Sequence, residues 1–276
     1  MPAPDAITCD KLAKLIGTPK APTILDVRRA VLREKDARAL PAARMLEEAH
    51  LSRDGALSLL PDLKDQPVVV VCLAGHGRSQ GLAAMLRAAG VAAEYLEGGH
   101  EAWVAAGHPT MDTGKLPAQG AAGSLWVTRS RPKIDRIACP WLIRRFIDPR
   151  ADFLFVAPAE VAAVAEMTGA AAFDTEGTFW SHRGGLCTFD TLLAEFGLKS
   201  PALDRLATIV RGADTARPEL APECAGLLAV SLGLSRMYAD DQAQLAAGLA
   251  IYDAFFRWAR DATEETHDWP TGGKSR

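Results

Sequence analysis

The chain has 276 residues, of which 49% are hydrophobic and 24% charged, with a formal net charge of -3. That length suits two ordinary domains, each able to bury a core, and the balance of charge argues against a wholesale binder of nucleic acid or other polyanions. No apolar run approaches the ~20 residues of a membrane helix, and Asp5 and Asp10 stand where a secretory signal would need an apolar stretch. The five cysteines, Cys9, Cys72, Cys139, Cys187 and Cys224, are scattered with no close pair, which points to a reducing cytoplasm and not to a disulfide framework.

Residues 1–110 alternate in type. A short helix is expected over 10–16 and a buried strand over 23–27, followed by the charged Arg28 and Arg29. A second short helix covers 56–60. The β-branched run 67–72 reads as a central strand buried on both faces. Leu82, Met85, Leu86 and Ala89 recur at helical spacing before Gly90, so 79–89 reads as a helix. A strand over 93–96, a turn at Gly98-Gly99 and a helix over 100–106 complete the unit. Alternation at this pace predicts an α/β fold, a parallel sheet flanked by helices.

Residues 111–124 are rich in Gly, Ala, Pro and Thr and read as a linker. The second unit, 125–262, is expected to be a mostly helical α/β domain. It opens with a strand over 125–128, then a helix starting near Pro140, because proline suits the first helical turn. A strand over 153–157, a helix over 158–168 and a short strand over 171–174 follow. Leu203, Leu206, Ile209 and Val210 then share one helix face, 227–234 is apolar all round and reads as a buried helix, and Leu245, Leu249, Tyr252 and Phe256 form another stripe. The polar tail 263–276 holds Pro270 and Gly272-Gly273 and reads as flexible.

The motif with the most chemistry is Cys72-Leu73-Ala74-Gly75-His76-Gly77-Arg78-Ser79. A buried strand feeds the cysteine and a helix follows. Two glycines let the backbone curl so that N–H groups face inward, and the helix adds its N-terminal partial charge. Arg78 adds a planar fork of donors suited to a tetrahedral anion. Each favours thiolate over thiol, which makes Cys72 the expected nucleophile and Arg78 its partner. His76 reads either as a proton-transfer group or as an exposed loop residue.

Cys72-x-x-Gly75 after a buried strand resembles the active-site loop of rhodanese-like sulfurtransferases. Leu25-Asp26-Val27-Arg28 is similar to that family's early strand-end motif, and Leu96-Glu97-Gly98-Gly99 with Ala102-Trp103 is similar to its late LxGG…AW motif. The resemblance implies a domain in which the cysteine carries sulfane sulfur as a persulfide. It also implies a small-molecule sulfur donor and a sulfur acceptor or thiol reductant as partners. One departure is the loop length. From Cys72 to Arg78 the chain reads C-x5-R-S, one residue longer than the usual sulfurtransferase loop, which resembles the loop of dual-specificity phosphatases and thiol-dependent arsenate reductases. Val71 stands where those families place histidine, and no aspartate acid for a leaving group is evident. Sulfur transfer therefore ranks first, with oxyanion reduction or dephosphorylation behind it.

In the second unit Arg129, Arg131, Lys133, Arg136, Arg144 and Arg145 put six basic residues within 17 positions. The first four precede the expected helix, so Arg129, Arg131, Lys133, Asp135 and Arg136 form a candidate oxyanion site. Asp135, Asp174, His182 and Cys187 are the candidate polar set for a divalent metal, with Asp135, Asp174 and His182 as its ligands, since imidazole and carboxylate suit iron, manganese or zinc. Cys139 and Cys187 read as buried thiols; an oxyanion reductase would need one of them to resolve its adduct. Asp214 and Arg217 have the spacing of an i,i+3 ion pair.

The stretch from Trp126 to Phe146 resembles the C-terminal domain of chromate-resistance proteins. The likeness extends through Phe173-Asp174, Ser181-His182, Cys187-x-Phe189-Asp190, Arg211-Gly-Ala-Asp214-Thr-x-Arg217, Leu220-Ala-Pro-Glu223 and 226–235. It implies a role in tolerating or sensing chromate. In that family the domain is often fused to a DNA-binding module, and none is evident here. The expectations are thus a cytoplasmic sulfurtransferase coupled to an oxyanion-handling domain, with no nucleic-acid or membrane partner. A chromate-binding sensor or scaffold without catalysis is the non-enzymatic alternative.

Overall fold

A computed structural model describes residues 5–63, 66–120 and 123–266. The N-terminal sheet has five strands in the order Ala6–Ile7, Ala93–Leu96, Val68–Val71, Thr23–Asp26, Ala43–Met45, and every pairing is parallel. The central strand is four valines, all buried. Val68 and Val70 pack into one apolar cluster with Leu25, Val27, Leu82 and Leu86. Val69 and Val71 point the other way, into a cluster with Ile7, Ile24, Leu96 and Trp103. A strand covered on both faces needs no polar alternation, which is why this segment reads as an unbroken β-branched run.

The second sheet is built on the strand Gly123–Arg129, flanked in parallel by Asp152–Val156 and Ala171–Ala172, with Gln119–Gly120 antiparallel at its start. The helices Thr188–Glu195, Pro201–Asp214, Cys224–Met237 and Asp241–Asp261 follow. Chromophore-sized side chains fill their centre: Trp141 packs against Phe146, Phe189, Tyr252 and Phe256. These belong to the same cluster as Val69, Val71 and Trp103. The two halves therefore share one core across a face of the N-terminal sheet. Backbone bonds cross the same boundary, from Ala42 N to Phe146 O at 2.7 Å and from Asp112 N to Phe196 O at 2.8 Å.

Several expectations change. Residues 111–124 are not a bare connector: Met111–Asp112 pairs antiparallel with Arg38–Ala39, a 3-10 turn covers Thr113–Lys115, and the strand of the second sheet begins at Gly123. The helix expected near Pro140 opens at Asp135 and runs to Leu142 with the proline inside. Pro140 cannot donate to a carbonyl four residues back, and a turn of π-helix follows directly over Ile143–Ile147. The helix Cys224–Met237 is not buried all round. Only Cys224, Leu227, Ser231 and Ser235 face inward, while Leu228, Val230, Leu232 and Met237 are exposed. Ser231 on its inner face satisfies the irregular turn before Asp135, its Oγ accepting from Ile134 N at 2.9 Å, and the Ser235 backbone carbonyl accepts from Arg131. Of the tail expected from residue 263, residues 267–276 lie outside the described residues. Among the described residues no helix is long and apolar enough to cross a membrane.

Candidate functional site

Cys72 follows the last valine of the central strand, at the carboxyl end of the sheet, where parallel α/β folds place their ligands. The helix Gly77–Ala88 begins with His76 as its N-terminal flank, two residues earlier than its periodicity suggests. His76 N donates to Cys72 Sγ at 3.2 Å, and Ser79 Oγ lies 3.1 Å from the same sulfur. Burial alone pushes the Cys72 thiol up. The Ser79 hydroxyl and the backbone N–H groups of Ser79, His76 and Ala74 outweigh it and hold the thiol below its ordinary value.

The loop keeps this shape because other segments lock it from behind. Gly75 sits at φ +72°, and a Cβ there would meet Gly98 N and Leu96 O at 2.8 Å. Gly99, at φ +61°, lies so close that its Cβ would stand 2.4 Å from Cys72 O. His100 N and Glu101 N, opening the helix after Gly99, donate to Cys72 O and Leu73 O, each at 2.9 Å. The early motif is a buried ion pair, Arg28 Nε to Asp26 Oδ2 at 2.8 Å, both side chains 1% exposed. Between them Val27 donates to Val71 O at 2.8 Å and accepts from Arg78 Nε at 2.9 Å.

Arg78 does not have the expected role. Besides Val27 O, its two terminal nitrogens each reach a Glu48 carboxylate oxygen at 2.7 Å. All three interactions tie the loop to its neighbours, so the donors around the sulfur are backbone N–H groups and the Ser79 hydroxyl. His76 is exposed and Gly77 has open space beside it; of the two loop glycines only Gly75 requires the left-handed conformation.

A second cluster lies in the other half. Asp135 is fully buried at the start of its helix, and its carboxylate accepts from Thr188 N at 2.6 Å and Phe189 N at 3.3 Å, in the first turn of the helix Thr188–Glu195. Asp174 accepts from the Thr188 hydroxyl at 2.9 Å and from Arg129 at 3.1 Å, with Arg136 Nε at 3.2 Å. His182 Nε2 stands 3.2 Å from Asp214 Oδ2, 3.3 Å from Asp174 Oδ1 and 3.5 Å from Asp135 Oδ2. Hydrogen bonding to Asp135 and Asp174 raises His182 to about 10. Burial, with Asp135 and Asp174 beside it, pushes Asp214 up to about 7. A cleft of about 570 Å³ opens over the cluster, lined by Arg129, Asp174, Thr175, Ser181 and His182 among others.

The "ChrB, C-terminal domain" family matches residues 126–259, and the "Rhodanese-like domain" family matches residues 8–106. The chain is a rhodanese-like domain followed by a ChrB C-terminal domain. Protein ChrB of Cupriavidus metallidurans is 35% identical over 143 residues, covering 50% of this chain and 43% of that protein, so the chain spans less than half the length of this curated relative. Among solved structures, a rhodanese-like domain protein from Staphylococcus aureus is 29% identical and covers 36% of this chain and 90% of that one, at a TM-score of 0.30. Thiosulfate sulfurtransferase from Pseudomonas aeruginosa is 28% identical, covering 42% of this chain and 21% of that one, at a TM-score of 0.32.

Within the ChrB C-terminal domain the basic residues do not gather into one anion cradle. Arg129 and Arg136 turn to Asp174. Arg131 turns the opposite way, its backbone N–H to Asp241 and its guanidinium to Tyr238 O and Ser235. Lys133 lines a separate cleft with Arg131, Leu232 and Arg236. Asp135 is held by helix N–H groups and faces His182. Asp214 and Arg217 are no ion pair: Asp214 meets His182, while Arg217 reaches Gly185 O at 2.7 Å and the Thr215 hydroxyl at 3.1 Å. Asp135, Asp174 and His182 do come together, as their residue types suggested. Asp214 is the member that sequence reasoning missed, although it stands in a motif that marks this family. In the rhodanese-like domain Glu48, as holder of Arg78, is missed, and Ser79, expected as part of the anion-binding loop, turns its hydroxyl to the sulfur itself. Both depend on which way a side chain turns, which spacing does not report.

Proposed function

We propose that the chain is a rhodanese-type sulfurtransferase in which Cys72 forms a persulfide. The observation that carries this reading is the cradle around Sγ, in which His76 N and the Ser79 hydroxyl approach within 3.2 Å and 3.1 Å and the thiol is held below its ordinary value. With thiosulfate as donor, the Cys72 thiolate attacks the outer sulfur. A new S–S bond forms on Cys72, the donor's S–S bond breaks, and sulfite leaves with the electron pair. Cyanide, or a physiological thiol in its place, then attacks the outer persulfide sulfur and returns the thiolate. N–H groups at the helix start stabilise the anionic donor and the persulfide.

Two observations weigh against a phosphatase or oxyanion reductase. Arg78, which such chemistry would aim at the anion, is committed to Val27 O and Glu48. Cys139 and Cys187, the thiols that would resolve an adduct, are buried, and burial pushes both up. The ChrB C-terminal domain connects the sulfur chemistry to a chromate-resistance family, and the shared core supports a role for both domains in one function. All five cysteines are free, which fits a reducing, cytoplasmic setting.

The test is sulfur transfer from thiosulfate to cyanide by the purified chain beside Cys72→Ser, with the mass of the Cys72 peptide followed. Activity that disappears in the variant, together with one added sulfur on the wild-type peptide, is expected. A folded wild-type chain that forms neither persulfide nor thiocyanate with thiosulfate would refute the sulfurtransferase reading and favour a scaffold or sensor.

A further inference from the structure

The cluster in the ChrB C-terminal domain is not used by the thiol chemistry. A single hydrogen bond from His182 accounts for only part of its geometry. An imidazole Nε2 carries at most one hydrogen, directed along one line. Yet His182 Nε2 lies at near-equal distance from oxygens of three different carboxylates, 3.2, 3.3 and 3.5 Å away, all at or beyond the upper end of ordinary hydrogen bonds. A directed donor would draw one acceptor close and leave the others. Atoms arranged around a shared point are what a spherical cation requires.

The separations agree with that reading. A first-row divalent ion sits about 2.1 Å from nitrogen and oxygen ligands, which places neighbouring ligands about 3.0 Å apart in an octahedron and about 3.4 Å apart in a tetrahedron. The distances from His182 Nε2 to Asp214 and Asp135, 3.2 and 3.5 Å, fall around these values. We propose that Asp135, His182 and Asp214 form a binding site for a divalent first-row cation such as Mn(II), Fe(II) or Zn(II). One ligand atom from each lies within 4.8 Å of the others.

The rest of the site sorts by what each group is free to do. Asp174 has one oxygen on the Thr188 hydroxyl and the other on Arg129, with Arg136 beside it, so both oxygens are already engaged and it stands as an outer carboxylate beside the site. Asp135 is fixed by two helix N–H groups, the kind of support that holds a ligating carboxylate in place. Two carboxylates match the charge of a divalent ion. The donor set is oxygen and nitrogen only. The buried thiol of Cys139 donates to Asp135 Oδ1 at 3.8 Å as an outer contact, so soft ions that select thiolate are disfavoured. Three protein ligands leave coordination positions open. Of the three, His182 lines the cleft, its side chain 41% exposed, and Arg129 forms part of the same wall. A cation held there can accept a further anionic ligand from solution, with the Arg129 guanidinium beside it.

The experiment uses the full chain, freed of metal with a chelator, desalted and titrated with Co(II) as a spectroscopic probe. Zn(II) and Mn(II) serve as competitors. Wild type is expected to bind about one equivalent, with visible ligand-field bands and without the intense near-ultraviolet band of a cobalt–thiolate bond. Affinity should fall by about tenfold or more in His182→Ala and in Asp214→Asn, and should be unaffected in Cys72→Ser, which separates this site from the persulfide chemistry. Asp214→Asn preserves side-chain size and decides the matter if His182→Ala does not fold. Either of two results would overturn the proposal: a folded wild-type chain that takes up none of the three ions saturably, or a Co(II) spectrum and affinity that persist in folded Asp214→Asn.

Discussion

Ser79→Ala tests the account of the thiol directly. Ser79 is fully buried, and its hydroxyl lies 3.1 Å both from Cys72 Sγ and from His76 O. The single hydroxyl hydrogen can serve the carbonyl when the cysteine is a thiol and the sulfur when it is a thiolate. A hydrogen bond to a charged group contributes ~1.5–3 kcal/mol and one between neutral groups ~0.5–1.5 kcal/mol. The difference, ~1–1.5 kcal/mol, is what the hydroxyl supplies specifically to the thiolate, and at ~1.4 kcal/mol per pH unit it corresponds to about one unit. Removing it favours the thiol, so ionisation moves to higher pH. The assay is the pH dependence of iodoacetamide alkylation, read on the Cys72 peptide so that the partly exposed Cys9 does not contribute. Wild type should reach half-maximal rate below the range of a free cysteine, and the variant about one unit higher. An unchanged midpoint in folded Ser79→Ala would show that the backbone N–H groups alone set the acidity, and the reasoning about Ser79 would be wrong.

Gly99→Ala places a non-glycine residue at φ +61° with its Cβ 2.4 Å from Cys72 O. The left-handed backbone alone costs ~1–2 kcal/mol, and the loop must also move. Persulfide formation should be lost in a chain that a thermal scan still shows to be folded, and normal persulfide yield would contradict the buttressing role. Asp26→Ala leaves Arg28 buried at 2% exposure without its carboxylate, and urea titration should show a loss of ~3–5 kcal/mol; a loss under ~1 kcal/mol would mean that Arg28 re-pairs or reaches water. Glu48→Gln weakens the hold on Arg78 beside the thiol loop, so the KM for thiosulfate should fall, whereas an unchanged KM would mean that Arg78 stays on Val27 O regardless.

Much of the N-terminal unit is legible in sequence because its signals are local. Four consecutive valines require cover on both faces, and a cysteine followed by Gly75 at a strand end leaves the backbone few ways to turn into a helix. Helix boundaries were legible to within a few residues wherever apolar periodicity ended at a glycine. The second unit was harder to read. Pro140 looked like a helix start, yet the buried Asp135 is where the helix opens, its carboxylate fixed by N–H groups from Thr188 and Phe189 far along the chain. The apolar helix 224–237 looked buried, yet Ser231 faces inward, where its hydroxyl accepts from Ile134 N.

The sequence by itself determined the two domain families, the order of elements in the first, and the cysteine on which the proposed sulfur chemistry rests. Each is written in residues close together in the chain, where backbone geometry leaves few options. The tertiary structure alone decided that both halves close over one core, that Arg78 turns to Glu48, and that Asp214 joins Asp135, Asp174 and His182. Those outcomes depend on which side chains from distant segments meet, and a directed hydrogen bond or a point of converging charge exists only once the packing has set their distances.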